Sequence, residues 1–134
     1  MSSIEFTQVI PILRIFDVAK ADEFYVGYLG FSVDWSHRFD ENAPLYRQIS
    51  RGGLALHLSE HHGDGSSGAH LRIMMTGVRA FHREISAKGY RYARPGLETT
   101  EWNTMEVGVG DPFGNHLSFC ERMEPLDAKA ASEG

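Results

Sequence analysis

The first half of the chain consists of four apolar runs and one amphipathic stretch. Residues 9–16 are apolar and β-branched, which predicts a strand, and Pro11 favours a sheet edge because proline lacks an N–H. After Asp17, a residue type favoured at helix N-caps, apolar side chains recur at helical spacing as far as Gly30. Three more strands are predicted over residues 31–37, 45–51 and 54–59, with a glycine turn between the last two. The predicted order is strand, helix and three strands.

The second half repeats this order after a polar, glycine-rich connector at residues 61–68. A strand is predicted over residues 69–75, and Val78, Phe81 and Ile85 lie at the spacing of an amphipathic helix. Three strands follow in the prediction, at residues 90–94, 104–110 and 116–121, with turn-forming residues before the last. The same element order in both halves indicates an internal duplication.

The size and composition fit one ordinary globular domain. The chain has 134 residues, of which 42% are hydrophobic and 23% charged, close to the average for globular proteins. We expect one domain over residues 1–122, made of a first module at about 4–62 and a second at about 69–122. Residues 123–134 are small, polar and aperiodic, which predicts a flexible tail.

The net charge and the cysteine content limit the binding partners and the cellular compartment that we expect. The formal net charge is −5, so we expect neither nucleic acid nor an anionic membrane surface as a partner. The chain has no apolar run near the ~20 residues of a membrane span and no signal-peptide pattern at its start. The single cysteine, Cys120, excludes an internal disulfide and a thiolate metal cluster. These features predict a cytoplasmic protein.

Several short motifs together resemble the vicinal oxygen chelate superfamily, which includes glyoxalase I, extradiol dioxygenases, fosfomycin-modifying enzymes and bleomycin resistance proteins. The resemblance implies an α+β fold of two tandem βαβββ modules that form a curved, cleft-lining mixed sheet. It also implies a homodimer, because many relatives close the cleft with a partner chain. The motifs are Arg14-Ile15-Phe16-Asp17, Phe24-Tyr25, Leu29-Gly30-Phe31 and Asp111-Pro112-Phe113-Gly114-Asn115.

The resemblance also identifies four positions at which enzymes of the superfamily hold a divalent metal. In this chain they fall on Ile10, His57, His70 and Ser118. Isoleucine cannot ligate and serine is a poor ligand, whereas catalytic zinc usually needs three protein ligands. We therefore expect no metal and no other cofactor. The alternative is one divalent metal held by His57, His70 and Glu106, in a lyase, isomerase or dioxygenase.

Two features are more similar to the bleomycin resistance branch of the superfamily. Ile10-Pro11-Ile12-Leu13 stands where those proteins carry Ile-Pro-Val-Leu, and Trp102 precedes Asp111 by the same spacing as their ligand-stacking tryptophan. A rigid indole offers a large apolar face and also attracts cations. The alternative for Trp102 is ordinary packing in the core or at a dimer interface.

Other aromatic and histidine side chains complete the predicted ligand site. Strict alternation places Phe31, Val33 and Trp35 on one face, and we expect packing roles for Phe31 and Val33. The predicted function is metal-independent sequestration of an aromatic, antibiotic-like ligand that can carry positive charge. Its competitors are the metal-dependent enzyme and a module that serves only for protein interaction. The predicted ligand-binding residues are Trp102, Trp35, Phe39, Tyr46, His57 and His70.

Overall fold

The computed structural model describes residues 3–123. These residues divide into two compact units, with the boundary between Ser67 and Gly68. Residues 124–134, which make up all but the first residue of the predicted tail, lie outside the described part. No helix within residues 3–123 combines the length and apolar character needed to cross a membrane.

Unit 1 has the predicted order of strand, helix and three strands. Its four-stranded sheet has the order β1-β4-β3-β2, in which β1 is parallel to β4 and the other pairs are antiparallel. Asp17 caps the helix by accepting a hydrogen bond from the Lys20 N–H at 2.9 Å, as predicted. The elements are β1 (Ile12–Arg14), α1 (Val18–Ala21) continued by a π-helical segment (Asp22–Tyr28), β2 (Ser32–Arg38), β3 (Leu45–Arg51) and β4 (Leu54–Ser59).

Unit 2 repeats the arrangement. Its sheet has the order β5-β8-β7-β6, again with one parallel pair, between β5 and β8. The prediction of two tandem βαβββ modules with mixed sheets is therefore confirmed. The elements are β5 (His70–Met74), α2 (Val78–Ala87), β6 (Leu97–Thr99), β7 (Thr104–Gly110) and β8 (His116–Arg122).

Each sheet packs its helix on one face only. In unit 1, Arg47 of β3 forms an ion pair with Asp22 of the helical segment. In unit 2, the Phe81 ring of α2 lies 4.6 Å from the Phe119 ring of β8. Because side chains alternate along a strand, the neighbours of Arg47 and Phe119 point to the opposite side, which we call the helix-free face. This face carries the polar and aromatic candidates for function.

Two predicted strands differ from the structure. The first begins only at Ile12, because Pro11 has no N–H to donate and contributes only its carbonyl, which accepts from the His57 N–H at 2.9 Å. The strand predicted over residues 90–94 is wrong. There the Ala93 N–H bonds back to the Tyr90 carbonyl at 3.3 Å, which closes a turn, and the strand of this module is β6.

Candidate functional site

A β-bulge in β2 decides where Trp35 points. Val33 pairs with Ile49, but Trp35 pairs with Gln48, so the register shifts between them. The extra residue, Asp34, turns Trp35 to the helix-free face while Phe31 and Val33 stay on the helix side. The prediction that all three share a face is therefore wrong. Phe31 is buried as expected, whereas Val33 is 41% exposed.

On the helix-free face of unit 1, three rings pack together as the Trp35 cluster, defined as Trp35, Tyr46 and His57. The Trp35 and Tyr46 rings are stacked, with centroids 6.0 Å apart and planes 14° apart. The His57 ring meets both edge-on, at 5.3 Å from Trp35 and 5.1 Å from Tyr46. Three of the residues predicted for ligand binding are thus brought together by β2, β3 and β4.

A chain of hydrogen bonds holds the Trp35 cluster. Burial, and to a lesser degree Asp64, raises the pKa of Tyr46, so its hydroxyl stays protonated, and it is hydrogen-bonded to His57 Nδ1 at 2.6 Å. His57 Nε2 donates to Gln48 Oε1 at 3.0 Å, and Gln48 Nε2 donates to Asp34 Oδ2 at 3.1 Å. Both ring nitrogens of His57 are therefore engaged, and the bulge residue Asp34 anchors the chain.

The helix-free face of unit 2 is organised around one buried carboxylate. Glu106 is 8% exposed and accepts two bonds from the Arg72 guanidinium, at 2.7 and 3.3 Å. It also accepts from Thr104 Oγ1 at 2.7 Å and from the Trp102 indole N–H at 3.3 Å. The bonds from Arg72, then Thr104 and then Trp102 lower the pKa of Glu106 to about 2. Glu106 is therefore ionised at neutral pH, with its oxygens occupied by donors from this chain.

Trp102 lies in the turn between β6 and β7. Asn103 closes this turn in the left-handed region, at φ 67°, and Thr104 donates its N–H to Thr100 Oγ1 at 3.1 Å. Trp102 is 64% exposed, so its ring is not part of the core of unit 2, while its N–H remains bonded to Glu106. The result is an indole held at its polar edge and open over much of its face.

His70 is exposed at the start of β5 and contacts two residues of β8. Its Nε2 lies 3.0 Å from Ser118 Oγ, and its ring meets the His116 ring edge-on at 4.6 Å. A Cβ on Gly108 would come within 3.2 Å of His116 Nε2, so glycine makes room for this imidazole. The two superfamily metal positions of this module, His70 and Ser118, are thus adjacent and bonded to each other.

The described part of the chain forms no recognisable metal centre. Nowhere in residues 3–123 do three or more His, Cys, Asp or Glu side chains come together in an arrangement that could hold an ion. Of the alternative ligand set, both His57 nitrogens are bonded within unit 1, and the Glu106 oxygens accept from Arg72, Thr104 and Trp102. Binding a metal at His57 or Glu106 would require these bonds to break.

Phe39 does not join the Trp35 cluster. It lies in the turn between β2 and β3 and is 89% exposed, with no ring contact to another aromatic side chain in the described part of the chain. Sequence reasoning also missed contributors: Arg72, which alternation places on the same face as His70, and His116, which the parallel register sets beside His70. Asp34 and Gln48 carried no recognisable signal, because the bulge that positions them is not apparent in the pattern.

The comparisons with known proteins agree with this architecture. The family described as "Glyoxalase superfamily protein" matches residues 1–125, so the chain belongs to the glyoxalase superfamily. No functionally curated protein matches significantly. The structural similarity extends over almost the whole of several solved proteins at low sequence identity, which establishes the fold.

Three solved structures illustrate that similarity. A bleomycin-binding protein in complex with bleomycin is 23% identical, with a TM-score of 0.67 over 87% of this chain and 98% of that one. TnmS3, an antibiotic binding protein from Streptomyces sp. CB03234, is 18% identical, with a TM-score of 0.68 over 90% and 99% of the two chains. A glyoxalase-related enzyme from Clostridium phytofermentans is 20% identical, with a TM-score of 0.71 over 91% and 99%.

Proposed function

We propose that this chain is a metal-independent binding protein that sequesters an aromatic, antibiotic-like small molecule. The observation that carries the proposal is the exposed indole of Trp102, held at its N–H by the buried, ionised Glu106. A flat ring fixed before the ligand arrives loses little conformational freedom on binding, so more of the stacking energy is available as affinity. No bond in the ligand needs to be made or broken.

The Trp35 cluster supports the same proposal from unit 1. Trp35 is 44% exposed and lies against the Tyr46 ring, which is itself held by its bond to His57. The polar groups beneath the ring are paired with one another. His57 therefore supports the stacked rings of Trp35 and Tyr46. A ligand would contact mainly the indole surface of Trp35.

A positively charged ligand fits unit 2 better than a negatively charged one. An indole face attracts cations, by roughly 0.5–1 kcal/mol at exposed sites and by about 2 kcal/mol or more when desolvated. Glu98, on β6, lies directly across from Glu106 and is exposed, so its carboxylate adds negative charge on the side of the sheet that carries Trp102. The Arg72 charge is offset by its pairing with Glu106.

Two structural neighbours point in the same direction. One was solved with bleomycin bound and the other is described as an antibiotic binding protein. The neighbours also include a glyoxalase-related enzyme, which keeps metal-dependent catalysis as the competing function. The chemistry of the two helix-free faces favours binding, because the candidate ligating groups His57 and Glu106 are already paired.

A titration combined with product analysis tests the proposal. We expect a bleomycin-type ligand to give a saturable calorimetric titration with the metal-free protein and to be recovered chemically unchanged after prolonged incubation. The same incubation with added zinc, nickel, iron or manganese should also return intact ligand. Conversion of the ligand in a metal-dependent manner, or no binding in any state, would contradict the proposed function.

The absence of a resident metal is a separate expectation. Protein purified without an affinity tag should contain well under one equivalent of zinc, nickel, iron or manganese in elemental analysis, because two of the four superfamily positions are Ile10 and Ser118. About one equivalent per chain, lost in a His57→Ala or His70→Ala variant, would instead support the lyase, isomerase or dioxygenase alternative.

We also propose that the protein acts as a homodimer in the cytoplasm. The dimer follows from the superfamily resemblance, since an isologous pair is the commonest way to complete such a cleft. The cytoplasmic location rests on the reduced state implied by the one buried thiol, Cys120. Light scattering at micromolar concentration should give twice the chain mass, and the mass of a single chain would contradict the dimer.

A further inference from the structure

Unit 2 carries a dense basic segment on the side of its helix, away from the helix-free face. Residues 78–96 contain five basic side chains and one acidic side chain, although the whole chain has a net charge of −5. The acidic one, Glu84, lies 3.8 Å from Lys88. The basic side chains are Arg79, Arg83, Lys88, Arg91 and Arg94.

The geometry brings these charges together. Along α2, Arg79, His82, Arg83 and Ser86 follow the spacing that places side chains on one flank of a helix. The following loop is tied to that flank, because His82 Nε2 donates to the Pro95 carbonyl at 2.9 Å. Arg94 is therefore next in sequence to a residue that is bonded to the helix flank.

A cavity lies between the end of α2 and this loop. Its volume is about 530 Å³, within the roughly 300–1,000 Å³ range of small-molecule pockets. Its lining residues include apolar side chains, one tyrosine and two arginines. Among them are Ile85, Ser86, Tyr90, Arg91, Arg94 and Pro95.

Arg91 and Arg94 belong to the cavity lining, whereas Arg79 and Arg83 lie on α2 outside it. Within residues 3–123, Arg79, Arg83, Arg91 and Arg94 form no ion pair with a carboxylate. Arg91 lies over the Tyr92 ring at 5.1 Å, a contact that leaves its charge uncompensated. Two arginines without a carboxylate partner in the lining of one cavity favour an anionic ligand, and a planar guanidinium suits phosphate oxygens.

We propose that this cavity is a second ligand site that takes a phosphorylated aromatic compound of the nucleotide class. The phosphate is bound by Arg91 and Arg94, and the flat body packs against Tyr90 and Pro95. Arg79 and Arg83 attract the anion from the helix flank. The site is separate from the aromatic platforms of the proposed function and does not depend on them.

The test is a calorimetric titration of the full chain at low salt with adenosine monophosphate, adenosine and inorganic phosphate as probes. Adenosine monophosphate should bind at one site per chain, at least tenfold tighter than either of the other two probes. Arg94→Gln and Arg91→Gln should each weaken this binding by about tenfold or more, since each removes a charge-assisted hydrogen bond. Thermal melting of each variant verifies that it is folded.

Matched variants separate a specific site from general attraction. Arg122→Gln removes an exposed arginine at the end of β8 and should change the affinity less than twofold. The proposed function is tested separately with a bleomycin-type ligand, so the failure of one proposal is distinguishable from the failure of the other. Equal losses in Arg122→Gln and Arg94→Gln, inorganic phosphate binding as tightly as adenosine monophosphate, or no saturable binding would overturn the proposal. Much tighter binding of single-stranded DNA than of the mononucleotide would also overturn it, in favour of a nucleic-acid surface.

Discussion

The two units share one backbone plan but hold their tryptophans in different ways. In unit 1, Trp35 stands on a strand and packs flat against Tyr46. In unit 2, Trp102 stands in a turn, is more exposed, and is held by a single N–H bond to Glu106. The comparison teaches that a duplicated fold preserves strand order, while the polar groups that anchor a functional ring diverge.

The difference begins in the second strand of each module. β2 is seven residues long and contains the bulge that turns Trp35 to the helix-free face. Its counterpart β6 has three residues, and the tryptophan lies in the turn that directly follows β6. Trp35, on the longer strand, packs against the Tyr46 ring. Trp102, after the shorter strand, is instead held by its N–H bond to the buried carboxylate of Glu106.

The largest expected loss of stability is at Glu106, which holds the Trp102 indole in unit 2. Glu106→Gln removes the charge that Arg72, Thr104 and Trp102 share, so we expect unfolding free energy to fall by about 1.5–3 kcal/mol, the range for hydrogen bonds to charged groups. Denaturant unfolding measures this. Glu98→Gln, an exposed carboxylate on β6, is the matched control and should stay within about 0.5 kcal/mol of wild type. Equal losses of unfolding free energy in the two variants would contradict a specific contribution of the Glu106 hydrogen bonds to stability.

The same variant also tests how stability depends on pH, and the pKa of Glu106 determines the direction of the expected change. The pKa of Glu106 is lowered from 4.5 to about 2, so the stabilisation by its ionised form is complete above pH 4.5 and is lost as the pH falls towards 2. Unfolding free energies measured from about pH 6 to pH 2 should show the gap between wild type and Glu106→Gln closing over that window. A gap that stays constant or widens on acidification would contradict the ionised, donor-held carboxylate.

A smaller loss of stability is expected at Tyr46, which packs against Trp35 in unit 1. Tyr46→Phe keeps the ring against Trp35 but removes the hydroxyl that is hydrogen-bonded to His57 Nδ1, so it should lower the free energy of unfolding by about 0.5–1.5 kcal/mol. Tyr92→Phe, at a side chain 61% exposed, serves as the control, with an expected change below about 0.5 kcal/mol. If Tyr46→Phe is also neutral, the hydrogen-bond chain does not hold the Trp35 cluster together.

Much of the fold could be predicted because its signals are local. The strands predicted over residues 45–51, 54–59 and 104–110 have the observed bounds, and the Asp17 cap is made as expected. Apolar alternation and capping chemistry depend on neighbours in sequence. The loop at residues 90–94 was mistaken for a strand because its alternation of tyrosine and arginine mimics one, while Gly89 and Pro95 on either side favour a turn.

The site was less predictable because its key contacts are set by register between distant strands. Trp35 and Tyr46 were identified as aromatic candidates, but strict alternation put Trp35 on the wrong face, since one extra residue in a strand inverts every later side chain. From the sequence, Glu106 is identified only as an alternative metal ligand, and nothing there indicates its partner Arg72 on β5. A carboxylate's role depends on which donors reach it, and a linear pattern does not contain that information.

The central claim is that the exposed indole of Trp102 is the ligand platform, and one paired measurement tests it most directly. A bleomycin-type ligand is titrated calorimetrically against wild type and Trp102→Ala, and both proteins are melted. Loss of stacking and of buried apolar surface should weaken binding by roughly tenfold to a few hundredfold. The melting temperature should change little, because Trp102 is 64% exposed. Unchanged affinity together with a large drop in melting temperature would show that Trp102 is structural and would contradict the account.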